Sequence, residues 1–420
     1  MSLSARALLC LMALAAAPAP ADEEVFGGHI KYQYTHADYR ADDISGVFGD
    51  DPAHDHGLDL RLKAENRRGP WDFAAHYELL ALQGDTLAAR RAIAAAGFPF
   101  TGTLNGLPDD RRRLFDLTHT VTDRDRRAAV HRLDRLSAGY GSERGTLRIG
   151  RQAVSWGNGL VFQPLDFVNP FSPIAIDKDY KTGDDMLYGQ WLVRESDDVQ
   201  TILLPRRDPA THDLESSQST YAVKYRARLA GVDVDLLAAR HFSENLAGVG
   251  VVKSVGGAVW RLDASITDLD SGGRATSLVT NMDYSWEWGG KNMYGYAEYF
   301  RNGVGEIDRA GYIAPDPDLS TRLARGELFT LARDYAVLGL QVEFTPLFNL
   351  YTNLIANLND SSKFLQLRGV YDWQQDVQLM AGLNLPSGSR GSEYGGVPVA
   401  GSTFYVSAGK SAYLRGAVYF

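Results

Sequence analysis

The chain has 420 residues, 42 of them Gly and 21 Tyr, with a single Cys and a formal net charge of −9. A lone cysteine excludes a disulfide framework, and an acidic balance argues against a nucleic-acid partner, which would need a basic surface. This length usually makes two or three soluble domains, yet no linker-like stretch divides the sequence.

Residues 1–21 carry one positive charge at Arg6, an apolar run from Ala7 to Ala17, and Ala19-Pro20-Ala21 ahead of Asp22. This pattern predicts a secretory signal peptide cleaved after Ala21. The apolar run is shorter than the ~20 residues a membrane-spanning helix needs. Cys10 lies inside it, and Leu9 stands where a lipoprotein signal wants a small residue. Removing Arg6 with the leader would leave 42 basic against 52 acidic residues and a net charge of about −10. An exported chain of this size without cysteine suits a bacterial envelope protein.

From 22 to 420 one pattern recurs: segments of about ten residues with alternating polarity, ended by turn residues. In His56–Arg67, Leu58, Leu60, Leu62 and Ala64 alternate with Asp59, Arg61, Lys63 and Glu65. In Tyr221–Leu229, Lys224, Arg226 and Arg228 alternate with Tyr225, Ala227 and Leu229. In Ala258–Thr267, Trp260, Leu262, Ala264 and Ile266 face away from Arg261, Asp263 and Ser265. In Asn281–Trp288, Met282, Tyr284, Trp286 and Trp288 oppose Asn281, Asp283, Ser285 and Glu287. About eighteen such strands are readable, near 29–40, 56–67, 71–82, 130–140, 145–155, 184–193, 199–205, 218–229, 232–242, 246–254, 257–267, 277–287, 292–301, 333–344, 348–358, 363–373, 376–385 and 411–420.

A soluble sandwich would give the same alternation, so loop parity decides. Long connections at 41–55, 83–129, 156–183, 206–217, 302–332 and 386–410 interleave with short turns such as Arg68-Gly69-Pro70, Ala230-Gly231 and Gln374-Gln375. Only 243–245 and 359–362 are short on the long-loop side. Outer-membrane barrels keep short periplasmic turns and long extracellular loops. The expected fold is therefore all-β, a single transmembrane antiparallel β-barrel of 16–18 strands over 22–420, in the outer membrane of a Gram-negative cell. The 83–129 connection holds an apolar stretch at Leu87–Phe98, which suggests a short helix, and an Arg-rich one at Arg111–Arg127, which suits the lipopolysaccharide surface or plain solvent.

Residues Arg148–Pro173, RIGRQAVSWGNGLVFQPLDFVNPFSP, start as a strand and break into Trp-Gly-Asn-Gly. Trp156, Leu160, Val161, Phe162, Phe167 and Phe171 then share the stretch with Pro164, Pro170 and Pro173. Such a loop is stiff and wants burial. It is predicted to fold into the barrel over 155–185 and narrow it, with a plug or a packed surface lid as the alternative. The Gly-Arg-Gln strand followed by Trp-Gly and Asn-Pro-Phe resembles Gram-negative outer-membrane porin-like proteins of the alginate-export and related barrel families. That resemblance covers Arg148 to about Asp185, and the rest only as architecture. The last strand, Ala412–Phe420, ends in Phe with small or apolar residues at alternate positions, and resembles the C-terminal strand that the barrel-assembly machinery recognises. Phe420 is the expected assembly signal.

Inward polar side chains should line a wet lumen. The expected pore-lining set is Arg61, Lys63, Arg148, Lys224, Arg226, Arg228, Arg261, Asp263 and Arg368, faced by Asp59, Glu65, Asp233, Asp235, Asp283 and Glu287. Both signs occur, so a transverse field is expected rather than a uniform anion filter. The constriction is expected from Trp156, Phe162, Asp166 and Asn169, with a charged end at Asp177, Lys178, Asp179, Lys181, Asp184 and Asp185 meeting solute beside the Lys224–Arg226–Arg228 ladder.

Catalytic and cofactor readings are thin. His76 and His131 have no serine that the sequence places beside them. His54-Asp55-His56 reads as a solvated loop rather than a metal site, and Asp268–Gly273 lacks the downstream acid of a calcium loop. The expectation is no enzyme, no metal and no cofactor, with outer-membrane lipid, lipopolysaccharide and a small hydrophilic solute as partners. The favoured function is passive or selective diffusion of that solute. The alternatives are export of an anionic polysaccharide, as the resemblance implies, and a non-conducting barrel serving as an enzyme or as a sleeve for a periplasmic partner such as a cytochrome.

Overall fold

A computed structural model describes residues 23–98, 104–176 and 178–420. The expected signal peptide and Asp177 lie outside the described residues. The long-loop side below is the end of the barrel at which the longer connections emerge.

Strands β1 (Glu23–Asp38), β2 (Ala53–Arg68) and β3 (Trp71–Gly84) are followed by β4 (Thr118–Arg124), β5 (Arg127–Gly141) and β6 (Gly145–Gln152). Next come β7 (Asp184–Arg194), β8 (Asp197–Arg207), β9 (Leu214–Leu229), β10 (Val232–His241), β11 (Glu244–Val255) and β12 (Ala258–Asp268). Then follow β13 (Arg274–Trp288), β14 (Lys291–Arg301), β15 (Asp334–Thr345), β16 (Phe348–Asn357), β17 (Lys363–Gln374) and β18 (Val377–Ser387). After a two-residue hairpin, β19 (Val397–Pro398) with β20 (Tyr405–Val406), the chain ends on β21 (Lys410–Tyr419). Nineteen strands form one sheet, and β21 pairs antiparallel with both β18 and β1, which closes it. β4 pairs only with the upper part of β5 and stands outside the ring, so the barrel proper has eighteen strands. All eighteen coincide with strands read from the sequence. β4 does not: it lies in the stretch read as a loop, above β6, which is too short to cover the top of β5.

The alternation becomes two faces. On β1, His29 is fully buried and pairs across to Arg61, while its neighbour Ile30 is 45% exposed and pairs to Leu60. Outward residues such as Leu58, Trp71, Tyr140, Trp191 and Met282 form an apolar band, as lipid requires. Closure leaves the ring of eighteen strands without a free end strand, as a bilayer demands of a spanning sheet. The short turns carry the geometry that right-twisted hairpins need. Ala230-Gly231, Gly256-Gly257 and Gly289-Gly290 all have positive φ at both positions, the form that favours glycine. Helix α1 (Ile44–Phe48), helix α2 (Asp85–Ala95) and helix α3 (Pro317–Arg325) sit among the long loops. Leu87 of α2 packs on Leu107, Ala128 and Val130, so the apolar stretch read in that loop is a helix seated on the upper end of β5. Among the described residues no helix is long and apolar enough to cross a membrane.

Candidate functional site

The described residues of the connection between β6 and β7, 153–176 and 178–183, lie inside the barrel. Two apolar clusters seat them. Val154, Trp156, Leu165, Phe167 and Val168 pack on Met186, Ile202, Leu204, Ala222 and Leu237 of β7–β10. Phe162 stacks on Phe300 of β14 at 4.3 Å and joins Val279, Tyr335, Val337, Ile355 and Phe364. Between the clusters the loop leaves its own backbone donors unpaired, and inward carboxylates take them. Asp263 accepts from the Asn158 backbone N–H at 2.6 Å and from its side-chain amide at 2.7 Å. Glu298 accepts from three successive N–H groups, Leu160 at 2.7 Å, Val161 at 3.2 Å and Phe162 at 2.8 Å. Gly157 makes the turn with φ +99°, and an added Cβ would meet the Asp263 carboxylate at 3.3 Å. The Trp156 indole donates to Gln200 at 2.7 Å, and Lys224 sits 5.4 Å from the indole ring centre. Lys181 ties the loop's two limbs, bonding Asp166 at 2.5 Å and the Val154 carbonyl at 2.6 Å. Asn169, at φ +49°, directs its amide to Asp184 at 3.3 Å.

One wall beside this loop is sealed by paired charge. Arg61 of β2 bonds Glu78 at 2.5 Å and Asp134 at 3.0 Å. Arg132 bonds both of the same carboxylates, and Arg135 shares Asp134. Arg151 of β6 holds Asp185 through two bonds of 2.9 Å and Asp110 at 2.9 Å, while Arg206 holds Asp184 at 2.7 Å. Arg61, Asp184 and Asp185 are each at most 2% exposed. This corrects three expectations. Arg61 does not line water, and Asp184 and Asp185 do not face a solute. They open β7 inside an ion-pair network, because desolvated charge is tolerated only when paired and hydrogen-bonded. The network partners Glu78, Arg132, Asp134, Arg135 and Arg151 were missed. Alternation makes Glu78, Arg132 and Asp134 inward, but Arg135 follows a bulge and Arg151 follows Gly150 at φ +116°, so both break the parity of their strands, and Asp110 and Arg113 come from the long loop.

The charged end of the loop also differs from expectation. Asp179 accepts from Lys31 of β1 at 2.5 Å and from the Tyr419 hydroxyl at 3.1 Å. The carbonyls of Ile174 and Ile176 accept from Gln366 and Arg368 of β17. The loop therefore crosses to β1, β17 and β21, away from the Lys224–Arg226–Arg228 ladder, which meets Trp156 instead. Two rungs of the ladder are also answered: Arg226 binds Asp235 through two bonds of 2.7 Å, and Arg228 lies 3.6 Å from Asp233. Arg261 pairs with Asp283 at 2.9 Å, Arg148 with Asp72 at 2.7 Å, and Lys63 lies 5.5 Å from the Tyr180 ring centre.

Two polar cavities flank the loop within the barrel. One of about 340 Å³ separates the loop tip from β16–β18 and β21, and Lys178, Tyr351, Arg368, Gln378, Tyr413 and Arg415 line it. Arg368 lies over the Tyr351 ring at 4.5 Å. The other, of about 500 Å³, opens toward the short turns, with Glu65, Arg67, Asp72, His76, Arg135 and Arg148 on its walls.

No protein-family model matches the sequence, and no curated protein matches it. Solved structures do match over nearly the whole length. OccAB1 of Acinetobacter baumannii aligns over 96% of this chain and 98% of its own, at 8% identity and TM-score 0.54. A BenF-like porin of Pseudomonas fluorescens aligns over 95% and 99%, at 8% identity and TM-score 0.51. Wzi of Escherichia coli, a carbohydrate-binding β-barrel involved in group 1 capsule assembly, aligns over 99% and 87%, at 10% identity and TM-score 0.53. The fold is that of an outer-membrane porin.

On this porin fold the histidines fall into structural places. His76 donates to or accepts from Glu65 at 2.8 Å, and His131 lies against the rings of Tyr77 and His119. His54 and His56 bond the outward hydroxyls of Tyr34 and Tyr32, each at 2.7 Å. Asp55 points the other way and holds Thr86 at the start of α2. Among the described residues no three His, Cys, Asp or Glu side chains are grouped to hold a metal. Residues 268–273 form a turn closed by the Leu269 and Gly273 backbones, with Gly272 and Gly273 at positive φ.

Proposed function

We propose that this porin-fold barrel is an outer-membrane diffusion channel for small hydrophilic solutes, with its bore between the loop tip and the β16–β18–β21 wall. One observation carries the reading: the inward loop occupies the centre and leaves, between its tip and the β16–β18–β21 wall, a polar space of about 340 Å³ lined by fixed cations. Fixed cations there, Lys178 and Arg368, would favour anions in a narrow passage. A polysaccharide exporter or a sleeve for a cytochrome would need a clear lumen, and the anchors at Asp263, Glu298 and Lys31 oppose that. In this reading Phe420 serves as the assembly signal, its backbone joined to Gly28 of β1 at the barrel seam. The test is single-channel conductance of refolded protein in planar bilayers. Deleting Gly159–Ser172 should enlarge the conductance of the folded barrel. A folded barrel that carries no current, with or without that segment, would overturn the reading.

A further inference from the structure

On the long-loop side, above the inward loop, a cavity of about 140 Å³ lies among Arg112, Arg113, Arg206, Phe242 and Arg325. The strands bring these residues from four separate connections. Arg206 ends β8, Phe242 makes the β10–β11 turn, Arg325 closes α3, and Arg112 comes from the loop between α2 and β4. Phe242 gathers two of the cations: the guanidinium of Arg325 lies 3.9 Å from its ring centre and that of Arg206 lies 4.9 Å away. Arginines outnumber the acids. Including Arg111, five arginines line the cavity against Asp109, Asp184 and Glu327, and Asp110 behind it holds Arg113 at 2.5 Å. Asp184 is already bonded to Arg206 at 2.7 Å, Asp109 to Arg111 at 2.8 Å, and Glu327 is shared by Arg325 at 3.8 Å and His241 at 3.5 Å. Among the described residues Arg112 has no carboxylate within ion-pair distance; its partner is the Gln218 amide oxygen at 3.0 Å. Burial, then the nearby charges of Arg325 and Arg206, push the Arg112 pKa below its ordinary value, against the weaker opposing pull of Asp208 and Glu327.

We propose that this cavity is a binding site for a small oxyanion, a phosphate, sulfate or carboxylate group, held by the guanidiniums of Arg112 and Arg325 in the field of Arg206. Planar guanidiniums fixed by an aromatic face and by an amide are pre-organised for such a group. The site rests on the channel reading only for the idea that the anion arrives as solute. Its test is therefore binding in detergent, which is independent of conduction.

Calorimetric titration of the full-length refolded protein with inorganic phosphate should show saturable binding that sulfate and acetate compete for. Arg112→Gln and Arg325→Gln should each weaken it about tenfold or more. Arg274→Gln, at the exposed Arg274–Asp268 pair, should leave it unchanged. Far-ultraviolet circular dichroism would establish that each variant is folded. Displacement of phosphate by short-chain lipopolysaccharide would identify a lipid headgroup as the source of the oxyanion, and no displacement would identify a free solute. Phosphate binding that is absent from the folded wild type, or equally tight in both arginine variants, would overturn the proposal.

Discussion

The inner wall has two regions that treat charge in opposite ways. Between β2 and β8, Arg61, Arg132 and Arg151 are desolvated and each faces a carboxylate, so they act as cross-links between strands and loop. From β16 to β21 the inward residues are spaced by phenols and amides, and the loop touches them through main-chain carbonyls at Ile174 and Ile176. The same residue type, arginine at an inward strand position, is a strut in one region and a lumen side chain in the other. Inward parity tells which face a residue takes; only its neighbours two strands away tell whether water reaches it.

Breaking the struts should have the largest effect. Arg61→Leu leaves Glu78 and Asp134 short of a partner and should destabilise the barrel by about 3–5 kcal/mol. Arg368→Leu, on the open wall, should cost no more than about 1 kcal/mol. Urea unfolding in lipid vesicles compares them, and equal costs would erase the distinction between the regions. On the outer face of the same strand, Leu60→Arg places a charge against lipid and should cost about 2–4 kcal/mol if the position is near the midplane. That loss should shrink in short-chain detergent, whereas the Arg61 loss should not.

Function should respond the other way round. Lys178→Gln with Arg368→Gln should shift the reversal potential in a salt gradient toward cations, with little change in stability. Neutralising Lys224, Arg226 and Arg228 should shift it less, because Asp235 and Asp233 already answer two of those charges at close range. A larger shift from the ladder would move the bore to the β9–β10 side.

The smallest effect belongs to the loop crown. Glu393 accepts bonds from the Leu331 N–H and the Tyr335 hydroxyl at 2.7 Å each and from the Asn357 amide at 2.8 Å. Burial pushes its pKa up to about 7. A carboxyl raised above its unfolded value adds stability that is complete below about pH 4.5 and is lost as pH rises through about 7. Protection of the amides over 389–396, after correction for the intrinsic pH dependence of exchange, should therefore fall between about pH 4.5 and pH 7, and Glu393→Gln should flatten that fall.

The barrel was legible because lipid and lumen impose a period of two on every strand, and because the barrel keeps its long connections on one side. β4 was not, since Thr118–Arg124 is short and its outward neighbours are solvent rather than lipid. The loop's apolar residues announced burial, and Trp156 and Phe162 do sit in the two clusters. Its path was hidden. Nothing local says which wall a chain reaches after crossing a lumen, so the loop's charged end is expected near the Lys224–Arg226–Arg228 ladder, whereas Asp179 meets Lys31 and Tyr419. The carboxylates that fix the loop were half visible: Asp263 was read as an inward acid, but Glu298 was not singled out, although alternation along β14 puts it on the same face.

The anchor at Glu298 takes hold of backbone, not side chains. Three N–H groups of Leu160, Val161 and Phe162 meet one carboxylate, and any residue except proline presents that donor. Divergence is thereby uncoupled from support. Any residue but proline at 160 would keep the bond, whereas Val161 is also held by its packing on the Phe162 cluster, and the acids at 298 and 263 supply the fastening. A lineage can thus re-tune what its inward loop shows to passing molecules one substitution at a time, without at any step having to invent a new way of fastening it.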